Sequence, residues 1–198
     1  WHQVSKLLLA VQESCLAAGA KHDDAFGPLA ETYYDVRAGI GFNKSPAVYG
    51  AFPTDPYSHT PGFAGARQPG MTGQVKEEII TRLGELGVSV RDGRLTFSPL
   101  LLRRSEFLST PETFDYYDVD GKLQTLELEE ETLAFTYCQV PVIYRLSEES
   151  KTTLHLLDGT SDTLEGLVLD ETSSREIFKR SGRITLLEVS LTPRLDDR

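Results

Sequence analysis

Apolar residues in the first third of the chain recur at helical spacing. Val4, Leu7, Leu8, Val11, Cys15 and Leu16 fall on one stripe, which ends near Gly19. A second helix is expected from about Phe26 to Ala38, closed by Gly39 and Gly41. A third begins at the Thr72-Gly73 corner and runs to Leu86. Its pattern places Ile79, Ile80, Leu83 and Leu86 on an apolar face and Lys76, Glu77, Arg82 and Glu85 on the others, with Gly87 as C-cap.

After Gly87 the period changes. Val88–Val90 and Arg94–Phe97 flank Asp92-Gly93, a hairpin signal. Strand-like runs follow at Thr113–Val119, Leu123–Leu128, Leu133–Val140, Val142–Leu146, Thr152–Leu157, Leu164–Leu169 and Ile184–Leu191. Turn signals separate them at Asp120-Gly121, Asp158-Gly159 and Ser181-Gly182, and Ser173–Arg180 reads as a short helix covering one edge. Helices first and strands second make this an α+β chain, in which N-terminal helices precede an antiparallel β-sandwich. The expected division is a helical segment over 1–87, with a long ligand loop at 43–72, and a β-sandwich over 88–198. Three helices make a poor core by themselves, so packing against further helices or against the sheet is expected. The chain opens on Trp1 and reads as the tail of a longer protein.

The segment from Pro53 to Glu78 breaks both periods. A loop of about twenty residues without periodicity is uncommon in a compact domain, where connections run about 2–6 residues. Its aromatic residues and stiffening prolines argue against disorder. It concentrates side chains suited to a polar ligand, namely Asp55, Tyr57, His59, Arg67, Gln68, Thr72 and Gln74. Pro69-Gly70-Met71-Thr72-Gly73 then leads into a helix whose free N–H groups would seat an anion or a cluster of hydroxyls. The segment reads as half of a binding site.

Charge narrows the partners. A formal charge of −10, with no Lys/Arg cluster interleaved by aromatics, argues against nucleic acid and anionic membrane. No apolar run reaches the roughly twenty residues needed to span a bilayer. Cys15 and Cys138 are the only cysteines and sit in no metal-ligand spacing. Cys15 lies on a helical apolar side and Cys138 inside a strand-like run, so both read as buried free thiols.

Each candidate has an ordinary role to set against the chemical one. Glu77 and Glu78 open a helix, where the dipole stabilises carboxylates. The chemical alternative is a carboxylate that binds sugar hydroxyls or activates water, and Glu77, nearer the loop, is the choice for it. His59 can donate to a hydroxyl or, protonated, hold phosphate, with Asp55 four residues earlier to orient it. Arg67 and Gln68 can bind vicinal hydroxyls or an oxyanion, or else pin the loop. Thr72 and the Gly73 backbone suit a sugar or phosphate oxygen as well as they suit an N-cap. His22, Asp23 and Asp24 read as a solvated loop and helix cap rather than a metal site, and Glu127–Glu131 as a solvated acidic turn. No Walker, dinucleotide-binding or nucleophile-elbow motif occurs, and neither a cofactor nor a metal is implied.

Gly70-Met71-Thr72-Gly73, the helix Val75–Leu86 and the step Asp92-Gly-Arg-Leu-Thr-Phe-Ser-Pro99 together resemble the carboxyl-terminal end of six-hairpin α/α-barrel glycosidases and glycoside phosphorylases of the cellobiose phosphorylase type. In that family a Gly-Thr-Ala-Gly-like loop facing the sugar pocket precedes the last barrel helix, and a β-sandwich tail follows. The resemblance spans roughly Phe26 to Leu102, with the β tail matched by texture. Gln74 stands where the family carries an aromatic, and Lys76-Glu77-Glu78 replaces a more apolar helix start. It implies that the helices are the end of an α/α barrel whose parent hydrolyses or phosphorolyses glycosidic bonds. The partners it implies are a carbohydrate, inorganic phosphate where the reaction is phosphorolysis, and the remaining barrel region or a partner chain. The family's general acid lies in earlier hairpins that this chain lacks, so the chain alone is expected to be inactive. The alternative, from another class, is a non-catalytic carbohydrate-binding or assembly module.

Overall fold

The computed structural model describes residues 2–39, 75–192 and 194. The chain divides into two compact units, Trp1–Glu85 and Leu86–Arg198.

In the first unit, α1 (His2–Ala20) and α2 (Phe26–Gly39) pack against each other, and α3 (Val75–Glu85) packs on α1. Leu8, Cys15, Ala18, Phe26, Ala30 and Tyr33 form the buried apolar centre. The turn between α1 and α2 is held locally. His22 adopts a left-handed backbone conformation, Asp23 accepts from the Ala25 N–H at 2.9 Å, and the Asp23 carbonyl accepts from Phe26. His22, Asp23 and Asp24 are exposed there, as a polar loop that starts a helix should be.

The expected apolar face of α3 is corrected at its two isoleucines, whereas Leu83 is half-buried and Leu86 buried. Ile79 and Ile80 are 54% and 49% exposed, whereas Glu77, Thr81 and Glu85 are buried. The buried stripe therefore follows i, i+4, i+8 through polar residues. The physical reason is clearest at Glu85, whose carboxylate is met by the Tyr33 hydroxyl and the Arg37 and Arg82 guanidinium groups, while the Gln12 amide binds the Thr81 backbone carbonyl.

The second unit starts with a hairpin of β1 (Val88–Arg91) and β2 (Arg94–Phe97), turning on Asp92 and Gly93, both left-handed. Its far edge is extended by hydrogen bonds from Phe97 N–H to the Leu167 carbonyl and from Leu169 N–H to the Leu95 carbonyl. A 3-10 turn at Arg104–Glu106 leads to a second hairpin, β3 (Glu112–Tyr117) with β4 (Leu123–Leu128). The remaining strands are β5 (Thr132–Tyr137), β6 (Val140–Leu146), β7 (Lys151–Leu156), β8 (Ser161–Glu165) and β9 (Ile184–Leu191). They form a five-stranded sheet in the order β5-β6-β9-β7-β8.

Two details correct the expectation for the strands. First, β9 inserts between β6 and β7 and runs parallel to β6, so this sheet is mixed rather than purely antiparallel. The chain can return in that sense because α4 (Glu171–Phe178) intervenes between β8 and β9. Second, the run Leu133–Val140 is broken by a two-residue turn at Cys138 and Gln139, with φ of 51° and 64°. Cys138 thus sits in a turn and not inside a strand. No glycine marks that turn, so sequence signals for turns pass over it.

Tyr144 centres the sheet core beside Val142, Leu187 and Val189. Its ring meets Phe97 and Phe135 edge-on at 5.9 and 5.1 Å, and its hydroxyl donates to the Leu86 carbonyl at 2.6 Å. Asp170 caps α4 by accepting from the Ser173 N–H, while Ser174 Oγ accepts from Leu95 N–H and ties the helix to β2.

Candidate functional site

The described part of the candidate site is the polar stripe of α3. Glu85 lies at its centre, with its side chain 2% exposed. Tyr33 from α2 donates to Glu85 Oε1 at 2.6 Å, Arg37 Nε reaches the same oxygen at 2.9 Å, and Arg82 reaches Oε2 at 2.8 Å. Gln12 from α1 closes the network, its amide donating to the Thr81 carbonyl at 2.7 Å and to Tyr33 Oη at 3.3 Å. Gly84 makes this approach possible. A Cβ there would lie 2.3 Å from Gln12 Oε1, so the helix carries no side chain where the amide passes. Burial, reinforced by the Glu85 charge and the hydrogen bond to it, drives the Tyr33 phenol far above its ordinary range, so it acts only as a neutral donor.

One turn earlier the accounting differs. Glu77 is 4% exposed, and its Oε2 has no hydrogen-bond partner among the described residues. Thr81 Oγ1 instead donates to the Glu77 backbone carbonyl. Burying a carboxylate oxygen without a donor is costly, and buried polar groups are otherwise almost always paired. Glu78 is half-buried beside it. Burial lifts its carboxyl above the ordinary range, the Arg37 charge opposes that shift, and Glu85 adds to it. The first turns of α3 therefore present one orphaned carboxylate oxygen and one desolvated carboxyl. This arrangement can accept hydrogen bonds from a hydroxyl or hold a proton.

Of the residues expected at the site, Glu77 lies within the described structure. Asp55, Tyr57, His59, Arg67, Gln68, Thr72, Gly73 and Gln74 lie outside the described residues. Tyr33, Arg37, Gln12 and Glu85 were missed. The sequence pattern places Glu85 on a polar face, and the signal that points to it is the i, i+4, i+8 spacing of Glu77, Thr81 and Glu85.

The second unit carries its own charged cluster on the five-stranded sheet. Glu188 accepts from His155 Nε2 at 2.7 Å and from Arg145 at 3.0 Å, and Arg145 also reaches Glu129 at 2.6 Å. Burial raises the Glu188 carboxyl, but the His155 and Arg145 hydrogen bonds and charges outweigh it and hold the group below its ordinary range. Glu131 pairs with Arg104 at 2.9 Å. Part of the acidic run at 127–131 is thus ion-paired and not simply solvated. Neither Cys15 nor Cys138 is paired in a disulfide, and Cys15 is fully buried.

No family model and no curated protein matches the sequence. No helix among the described residues is long and apolar enough to cross a membrane.

Proposed function

We propose that the chain is the carboxyl-terminal portion of a carbohydrate-active enzyme, which hydrolyses or phosphorolyses glycosidic bonds, and that it supplies part of the sugar pocket. In this reading α1 to α3 belong to the end of an α/α barrel, and the strands form a β-sandwich tail. The observation that carries the reading is the orphaned Oε2 of Glu77 at the start of α3. Such an oxygen is completed by a ligand that brings a donor, and a sugar hydroxyl or an attacking water does so. The Tyr33–Glu85–Arg37 network fixes the register of α3 and so the direction of Glu77. Exposed Ile79 and Ile80 on the opposite face supply apolar surface for further barrel helices. The loop residues Asp55, Tyr57, His59, Arg67, Gln68, Thr72, Gly73 and Gln74 would add donors around the same sugar. Phosphorolysis would draw on inorganic phosphate as the second substrate.

The test is calorimetric binding of cellobiose to the polypeptide encoded by the complete reading frame, as wild type and as Glu77→Gln. The amide keeps one weaker, neutral acceptor and replaces the other oxygen by a donor, so the loss of charge-assisted bonding should lower affinity by about tenfold, or about 1.4 kcal/mol. Equal affinities would remove Glu77 from the pocket.

A further inference from the structure

The second unit holds an open groove of about 430 Å³, at the end of the sheet where the β3–β4 hairpin tip meets the Cys138-Gln139 turn and the start of β9. The groove is built in advance. Gln139 Nε2 donates to the Asp118 carbonyl at 2.9 Å, tying the hairpin to the β5–β6 turn. Gly182, left-handed, lies against Val119, where a Cβ would come within 3.3 Å of a Val119 methyl. Leu157 N–H binds the Arg183 carbonyl at 2.9 Å and holds the third wall.

Its chemistry is specific. Tyr116 lines the groove, and the ring of Phe114, nearly parallel at 11° with centroids 6.0 Å apart, packs beside it outside the lining. Leu157, 74% exposed, adds apolar surface. Gln124 and Gln139 line it as planar amides. Each spends one amide hydrogen within the protein, Gln124 on Asp118 Oδ2 at 2.8 Å and Gln139 on the Asp118 carbonyl, leaving a second donor and an acceptor oxygen. Asp118 and Asp120 are the charged residues of the lining, which contains no lysine or arginine. Hydrogen bonds from the Lys122 backbone and Gln124 hold the Asp118 carboxyl below its ordinary range; Oδ1 accepts from the Asp120 and Lys122 N–H groups, and Oδ2, with one bond from Gln124, keeps acceptor capacity.

We infer that this groove binds a neutral polyhydroxylated ligand, such as the end of an oligosaccharide, stacked on Tyr116 and hydrogen-bonded to Gln124, Gln139 and Asp118. A groove of this size falls within the roughly 300–1,000 Å³ of small-ligand sites. The aromatic face suits the C–H side of a sugar ring and the amides suit its hydroxyls; Lys122 is paired with Asp120 at 3.5 Å at the rim, and the lining itself offers a phosphate or carboxylate no cationic side chain. This site does not rest on Glu77, and it can stand or fall separately from the proposed pocket.

The test is an NMR titration of the chain with cellobiose, following the side-chain amides of Gln124 and Gln139, with glucose 6-phosphate as the charged comparison. Cellobiose should shift both amides with a dissociation constant on the order of millimolar, and glucose 6-phosphate should bind more weakly. Tyr116→Ala should weaken cellobiose binding about tenfold. Gln139→Asn tolerates the left-handed turn while shortening the amide, and should weaken binding severalfold with the fold intact. Glu77→Gln should leave these shifts unchanged. Absence of shifts at these amides, tighter binding of the phosphorylated sugar, or shifts indifferent to Gln139→Asn would overturn the inference.

Discussion

Tyr33 donates its hydroxyl to Glu85 Oε1 across 2.6 Å, joining the middle of α2 to the last turn of α3. The bond sits in the interior of the helical unit, and it is why α3 turns its polar stripe inward and leaves Ile79 and Ile80 exposed. Replacing Tyr33 by Phe keeps the ring packing and removes the donor, while Arg37 and Arg82 still hold the carboxylate. A hydrogen bond to a charged group is worth about 1.5–3 kcal/mol. Tyr33→Phe should therefore lower the stability of the helical unit by that amount, read from urea midpoints at constant slope. An unchanged midpoint would mean that the network does not set the register of α3.

Gly87 and Gly159 share a left-handed backbone, with φ of 71° and 83°, but not their surroundings. A Cβ at Gly87 would lie 2.1 Å from the Ser98 carbonyl carbon, whereas nothing lies within 4 Å of one at Gly159. Gly159→Ala should cost only the conformational strain, roughly 1–2 kcal/mol. Gly87→Ala must also push the Ser98-Pro99 backbone aside and should lose upwards of about 3 kcal/mol. Thermal melts of the two variants side by side check the difference, and equal losses would contradict the close approach.

Asp170 caps α4 through both oxygens, Oδ1 to the Ser173 N–H at 2.9 Å and Oδ2 to the Ser173 hydroxyl at 2.7 Å. Those bonds hold its carboxyl below the ordinary value of 3.8. A carboxyl depressed in the folded state contributes stability above its unfolded pKa, and that contribution is lost as pH falls through the folded value. Asp170→Asn retains an acceptor for the Ser173 N–H. It should therefore match wild type more closely below pH 3.8 than at neutrality, whereas Asp170→Ala should cost about 0.5–2 kcal/mol at neutral pH. Stability measured against pH for all three proteins shows whether the charge or only the cap matters.

The two thiols should separate by reactivity. Cys15 is fully buried, and burial pushes its thiol up to about 11, whereas Cys138 lies partly exposed in a turn. Iodoacetamide at neutral pH should modify Cys138 while Cys15 stays protected until the helical unit unfolds. Peptide mass mapping reads this directly, and early labelling of Cys15 would place the α1 packing in error.

Where one local signal decided the outcome, the sequence was legible. The helices α1 and α2, the Asp92-Gly93 hairpin, Leu123–Leu128 and Ile184–Leu191 follow from spacing and turn residues, and the structure places elements there, although Leu7 of the expected α1 stripe is exposed. The Cys138-Gln139 turn was not legible, because two non-glycine residues adopt left-handed backbone without a composition cue. The parallel β6–β9 pairing depends on contacts more than forty residues apart, which periodicity does not encode. Helix α3 misled for a different reason. Two isoleucines outweigh a Glu-Thr-Glu stripe on any hydrophobicity scale, yet Glu85 lies buried with the partners that Tyr33 and Arg37 of α2 supply. The sequence points to Glu77 only by its place near the loop, and its buried oxygen without a partner is information that the structure carries.

The central claim is that Glu77 serves chemistry at a glycosidic bond. It is tested most directly by turnover of cellobiose by the polypeptide of the complete reading frame, with and without inorganic phosphate, for wild type and Glu77→Gln. The account predicts cleavage by wild type in at least one of the two conditions. If Glu77 activates the attacking water, it further predicts a fall in kcat of about 10²–10⁴ for the variant without phosphate. If Glu77 only binds hydroxyls, the loss falls on KM instead. Cleavage identical in both proteins, or none by wild type across a panel of neutral disaccharides, would contradict it.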